Sequence, residues 1–60
     1  MNMRNIWFSI NKSGELNILQ FKIFCSIVDL KLEEEDYERV VHVFGKTITY
    51  QNFKLFIKFC

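Results

Sequence analysis

Apolar residues recur at helical spacing in three stretches of the chain, and two of them open on a residue suited to a helix start, Asn17 and Thr49. The first predicted helix runs from Asn17 to about Leu30, and Ile18, Leu19, Phe21, Ile23, Phe24, Ile27, Val28 and Leu30 go around most of it. The second runs from Leu32 to Phe44, with Tyr37, Val40, Val41 and Phe44 on one face and Glu34, Glu35, Glu38 and Arg39 mostly outside. Its opening run, Glu33 to Asp36, places carboxylates at the positive end of the helix dipole and reads as a solvated first turn. The third runs from Thr49 to Cys60, with Phe53, Phe56, Ile57 and Cys60 at core spacing and Leu55 and Phe59 on a second face. A short helix from Met3 to Phe8 precedes them, and Lys46-Thr47-Ile48 reads as a short extended segment.

Two of these helix starts repeat one pattern. Leu16-Asn17-Ile18-Leu19-Gln20-Phe21 and Ile48-Thr49-Tyr50-Gln51-Asn52-Phe53 each read aliphatic, cap residue, two others, amide, Phe. Asn17 and Thr49 can accept orphan backbone N–H groups at a helix start. Gln20 completes a capping box with Asn17, whereas Asn52 is a poorer partner for Thr49. The pairs Leu16/Phe21 and Ile48/Phe53 stand at hydrophobic-staple positions. A weaker copy lies at Leu32-Glu33 with Asp36-Tyr37.

The 60 residues allow one domain, which would bury only roughly 60% of its unfolded surface. Half the residues are apolar, seven are Phe, and Pro is absent, which suits packed helices joined by short turns. A net charge of +1 without a basic patch argues against nucleic acid as a partner. Cys25 and Cys60 lack metal-ligand or redox spacing and read as thiols in a reducing compartment. The stretch from Ile18 to Leu30 is too short and too polar to span a bilayer. No leader pattern follows Met1, so the cytoplasm is the expected compartment.

The segment from Asn11 to Phe21 resembles the latter part of a calcium loop and exiting helix of the EF-hand family, the calmodulin-like calcium-binding proteins. That family turns its loop sharply on a glycine and closes it with a bidentate carboxylate. Gly14 falls at the turn, Leu16 at the aliphatic position that follows, and Phe8 and Phe21 flank the loop. Phe8 and Phe44 stand 36 residues apart, but Leu16 and Ile48 only 32, as though the second loop had lost four residues. The resemblance spans about Phe8 to Phe59. It implies an all-α fold: an EF-hand-like helix-loop-helix pair with a truncated first helix and a short two-stranded bridge between the loops. The single domain, residues 1–60, would hold a first loop at about residues 9–20 and a collapsed second loop at about residues 45–49. Leu16 and Ile48 would pair across the bridge, Glu15-Leu16-Asn17 beside Thr47-Ile48-Thr49.

By the same resemblance, calcium at the first loop would face Ser9, Asn11, Ser13 and Asn17, the carbonyl of Glu15, and Gln20 at the closing position. None of those side chains is anionic, whereas calcium wants six to eight oxygens, several of them charged. No cofactor is therefore expected, and any calcium binding would be weak. Gly45, Lys46 and Thr47 leave no room for a metal in the second loop. The resulting expectation is a calcium-independent protein-interaction or regulatory module. Its partner would be an amphipathic helix of another protein or a neighbouring EF-hand unit. A weak calcium sensor or buffer is the alternative function. An enzyme has no support, because His42, the only His, lacks a cysteine or acid at triad or zinc spacing. The rival fold is a three-helix bundle, or a helix-turn-helix with Lys54 and Lys58 on its last helix.

Overall fold

The computed structural model describes residues 2–58. Four helices alternate with two short strands: α1 (Met3–Ile10), β1 (Glu15–Asn17), α2 (Ile18–Ile27), α3 (Glu34–Phe44), β2 (Thr47–Thr49) and α4 (Tyr50–Lys58). A fourth helix and a two-stranded sheet distinguish this arrangement from a three-helix bundle. Phe59 and Cys60, expected at the end of the last helix, lie outside the described residues. No helix among the described residues is long and apolar enough to cross a membrane.

The strands form an antiparallel pair in the register Glu15↔Thr49, Leu16↔Ile48 and Asn17↔Thr47. Side chains alternate across a strand, and both central residues turn inward and are buried. The pair thus ties the turn between α1 and α2 to the turn between α3 and α4 through the middle of the core.

Several of the helix boundaries have a local cause. Asn17 Oδ1 accepts from the Gln20 N–H at 2.8 Å, and Gln20 Oε1 accepts from the Asn17 N–H at 3.0 Å, a complete capping box. Thr49 Oγ1 accepts from the Asn52 N–H at 3.2 Å, with no reciprocal bond from the Asn52 side chain among the described residues. Asp36 Oδ2 accepts from the Glu33 N–H at 2.9 Å, so α3 starts two residues later than Leu32. The α2 helix stops at Ile27, three residues before Leu30, in a Schellman turn. There Asp29 takes a positive φ of 59°, its N–H donates to the Ser26 carbonyl, and the Leu30 N–H donates to the Cys25 carbonyl at 2.8 Å. The first helix runs two residues past Phe8, to Ile10.

Aromatic rings fill the centre. Trp7, Phe21, Phe24 and Phe53 are buried, with Leu16, Ile48, Val40, Cys25 and Phe56 around them. The Trp7 ring meets Phe24 edge-on at 4.8 Å between centroids and lies tilted against Phe53 at 5.1 Å. Each such pair contributes about 0.5–1.5 kcal/mol beyond its buried area. Two expected core positions are instead exposed. Val41 shows 43% of its surface and Ile57 37%, because α3 and α4 each bury one narrow stripe, Tyr37-Val40-Phe44 and Phe53-Phe56. Phe8, expected as the apolar flank of the first loop, is also at the surface, and Trp7 beside it is the residue that enters the core.

Candidate functional site

The turn between α1 and β1 holds Asn11 and Ser13, two of the residues that the EF-hand resemblance would turn toward a cation, and their side chains are turned on one another. Asn11 is the hub. Its Oδ1 accepts from the Ser13 N–H and the Ser13 hydroxyl, both at 3.1 Å, and its own carbonyl accepts from the Gly14 N–H at 2.9 Å. Its Nδ2 donates to the Glu15 carbonyl at 3.0 Å. The amide is thus oriented with oxygen toward two donors and nitrogen toward an acceptor, the arrangement its chemistry requires. Ser13 Oγ in turn accepts from the Glu15 N–H at 3.2 Å. These are the bonds of an Asx turn, a local substitute for regular secondary structure.

The Glu15 carbonyl, which the EF-hand resemblance would turn toward a cation, accepts from Asn11 Nδ2 instead. Ser9 stands apart: it lies in the last turn of α1 rather than opening the loop, and its hydroxyl donates to the Ile6 carbonyl at 2.7 Å. Asn17 and Gln20 are committed to each other in the capping box. The side-chain oxygens of Asn11, Ser13, Asn17 and Gln20 are neutral and each accepts a local hydrogen bond, while the Ser9 hydroxyl turns back along α1. Such a donor set does not fit calcium, which needs charged oxygens to replace its hydration shell. No three His, Cys, Asp or Glu side chains converge as a metal site among the described residues.

Gly14 and Trp7 anchor this turn. The Trp7 Nε1–H donates to the Gly14 carbonyl at 2.7 Å in the buried interior. Gly14 has a φ of +83°, and a Cβ built there would meet the Phe8 ring at 2.5 Å. Only glycine takes this conformation and admits the ring. Nothing in the periodicity of so short a helix singles out Trp7; the signal, read afterwards, is a lone tryptophan one turn before a glycine turn.

A second feature lies on the outside of α2. Leu19, Ile23 and Ile27 are 68%, 54% and 48% exposed and recur every fourth residue, so they form one ridge on the face opposite Phe21, Phe24 and Cys25. Beside it, Ile18, Lys22, Tyr37 and Val41 line a groove of about 480 Å³ between α2 and α3. Lys22 Nζ reaches Glu34 Oε1 at 3.3 Å across its edge and stands 5.2 Å from the centre of the Tyr37 ring. Val43 and Leu55 add single exposed apolar side chains on α3 and α4. His42 is exposed on α3.

Beneath this groove, Cys25 is 1% exposed. Burial pushes its thiol up, and the Tyr37 hydroxyl beside it opposes that shift only in part. Tyr37 is itself pushed up to about 12, chiefly by burial and then by the neighbouring Cys25. Both groups are neutral at physiological pH, as befits packing rather than chemistry.

The chain matches no known family, no curated protein and no solved structure.

Proposed function

We propose that this chain is a calcium-independent interaction module built as a degenerate EF-hand pair. The turn-to-turn pairing of Leu16 with Ile48, inside two helix-strand-helix halves, supports the EF-hand reading. Calcium-independence is supported by the first turn, where Asn11 and Ser13 hydrogen-bond the Glu15 carbonyl and N–H. The binding reading is carried by one observation: the exposed ridge of Leu19, Ile23 and Ile27 along a helix whose other face is already committed to the core. Three large aliphatic side chains in one row exceed the scattered apolar residues normal to a protein surface. A ridge at four-residue spacing fits the groove of a second helix, so the partner is the apolar face of an amphipathic helix, in another protein or a neighbouring EF-hand unit.

Fluorescence of a hydrophobic dye tests the reading. The native chain is expected to enhance it equally with and without millimolar calcium, and Ile23→Glu is expected to abolish most of the signal while the circular dichroism spectrum stays intact. A chain that leaves the dye dark, or that enhances it only when calcium is added, would remove the proposal.

A further inference from the structure

A different face of the molecule, where α1 meets the start of α4, carries a cavity of about 420 Å³. It is lined by two aromatic residues, Phe8 from α1 and Tyr50 from α4, and by the Gly14 turn. A cation stands over each ring: the Arg4 guanidinium carbon lies 5.7 Å from the Phe8 ring centre, and Lys54 Nζ lies 5.8 Å from that of Tyr50. Rings placed under cations hold them by their quadrupoles and limit where the long side chains swing. Neither cation has a carboxylate within ion-pair distance among the described residues, and no acidic residue lines the cavity. Thr49 and Gln51 add a hydroxyl and an amide donor around the same space.

We propose that this cavity, lined by Phe8 and Tyr50 and flanked by Arg4 and Lys54, binds a small phosphate monoester carried on a flat apolar body. This goes beyond the helix-binding reading and uses none of the α2 ridge. Two unpaired positive charges match the charge of a phosphate monoester, which is close to dianionic at neutral pH. The guanidinium supplies a planar fork for two phosphate oxygens, and the ammonium a point charge for a third. The volume suits a small molecule and far exceeds a bare phosphate, so the remainder would be filled by a body lying against the two rings. At Gly14 the Phe8 ring already fills the place of a side chain, so the body would lie against the rings rather than on the turn itself.

Titration of the full chain with phenyl phosphate, followed by amide shifts at fixed ionic strength, tests the site. Saturable shifts confined to Gly14, Thr49, Gln51 and their neighbours are expected. Arg4→Gln and Lys54→Gln each remove one charge-assisted contact and are expected to weaken binding about tenfold, whereas Lys12→Gln, a cation outside the cavity, leaves it unchanged. Inorganic phosphate, which lacks the apolar body, is expected to bind more weakly than phenyl phosphate. Arg4 and Lys54 are exposed, and the spectrum of each variant verifies that the fold is kept. Shifts that scatter over the surface without saturating, affinity indifferent to Arg4→Gln and Lys54→Gln, or an equal loss in Lys12→Gln would overturn the proposal. So would inorganic phosphate binding as tightly as phenyl phosphate.

Discussion

The indole N–H of Trp7 donates to the Gly14 carbonyl at 2.7 Å, and through that bond the shortest helix of the molecule holds its first turn in place. The ring is in contact with α2 and α4 as well, through Phe24 and Phe53, so one side chain joins three helices and a turn. Trp7→Phe keeps most of the apolar body but leaves the Gly14 carbonyl without its buried donor. An acceptor orphaned in this way costs about 1–3 kcal/mol, a large share of what a domain of this size holds. Urea denaturation followed by circular dichroism is expected to show that loss as a lower midpoint.

Asn11 offers a test of how the first turn is closed. Asn11→Asp removes the Nδ2 donor and faces a carboxylate toward the Glu15 carbonyl, so about 0.5–1.5 kcal/mol of stability is expected to vanish. A turn waiting for a cation would instead gain a ligand from the same substitution. Denaturation with and without calcium separates the two: a loss that millimolar calcium fails to restore is expected.

Gly45 isolates a backbone effect. Its φ of +89° and ψ of −151° lie in a region that essentially only glycine occupies, while nothing stands within 4 Å of a Cβ placed there. Gly45→Ala is therefore expected to cost about 1–3 kcal/mol through conformation alone. Asp29 gives the opposite sign. At a φ of 59° in the Schellman turn it occupies a glycine position, and Asp29→Gly is expected to add up to about 1 kcal/mol. Thermal melts of both variants measure the pair of effects in opposite directions.

Alkali is expected to weaken the fold. Cys25 and Tyr37 both lose their protons less readily when folded, so between the unfolded and folded values the native state binds more protons than the unfolded chain. Stability is then full below about pH 9, where the unfolded thiol remains protonated, and falls as pH rises. The decline continues as Tyr37 titrates between 10.0 unfolded and about 12 folded. Denaturant midpoints at pH 7, 9 and 11 check the sign, and Tyr37→Phe is expected to flatten the upper part of the curve.

The helix starts were legible in the chain because a cap leaves a residue signature: Asn17 with Gln20, and Thr49 with the aliphatic residue before it, mark their turns without any knowledge of the tertiary fold. The strands lie where that repeat puts Leu16 and Ile48. Helix ends were harder. Asp29 performs a glycine's task, so the stop of α2 carries no glycine to announce it, and the apolar pattern runs on to Leu30. Val41 and Ile57 illustrate a different limit. Periodicity marks which residues share a helix face, but how far another element covers that face is a property of the packing, and among the described residues these two are left partly exposed. Ser9 and Asn11 show the same limit within the candidate site. The resemblance to a calcium loop grouped them, whereas the structure sends one hydroxyl back along α1 and makes the other side chain the centre of the turn.

Closure of the first turn by hydrogen bonds among Asn11, Ser13 and Glu15 is what makes the module calcium-independent on the proposed reading. Its most direct measurement is an amide NMR spectrum of the full chain recorded before and after millimolar calcium. A dispersed, folded spectrum is expected without the ion, with the Gly14, Glu15 and Leu16 signals unmoved on its addition. A saturable displacement of those three signals, or a chain that folds only once calcium is present, would contradict it.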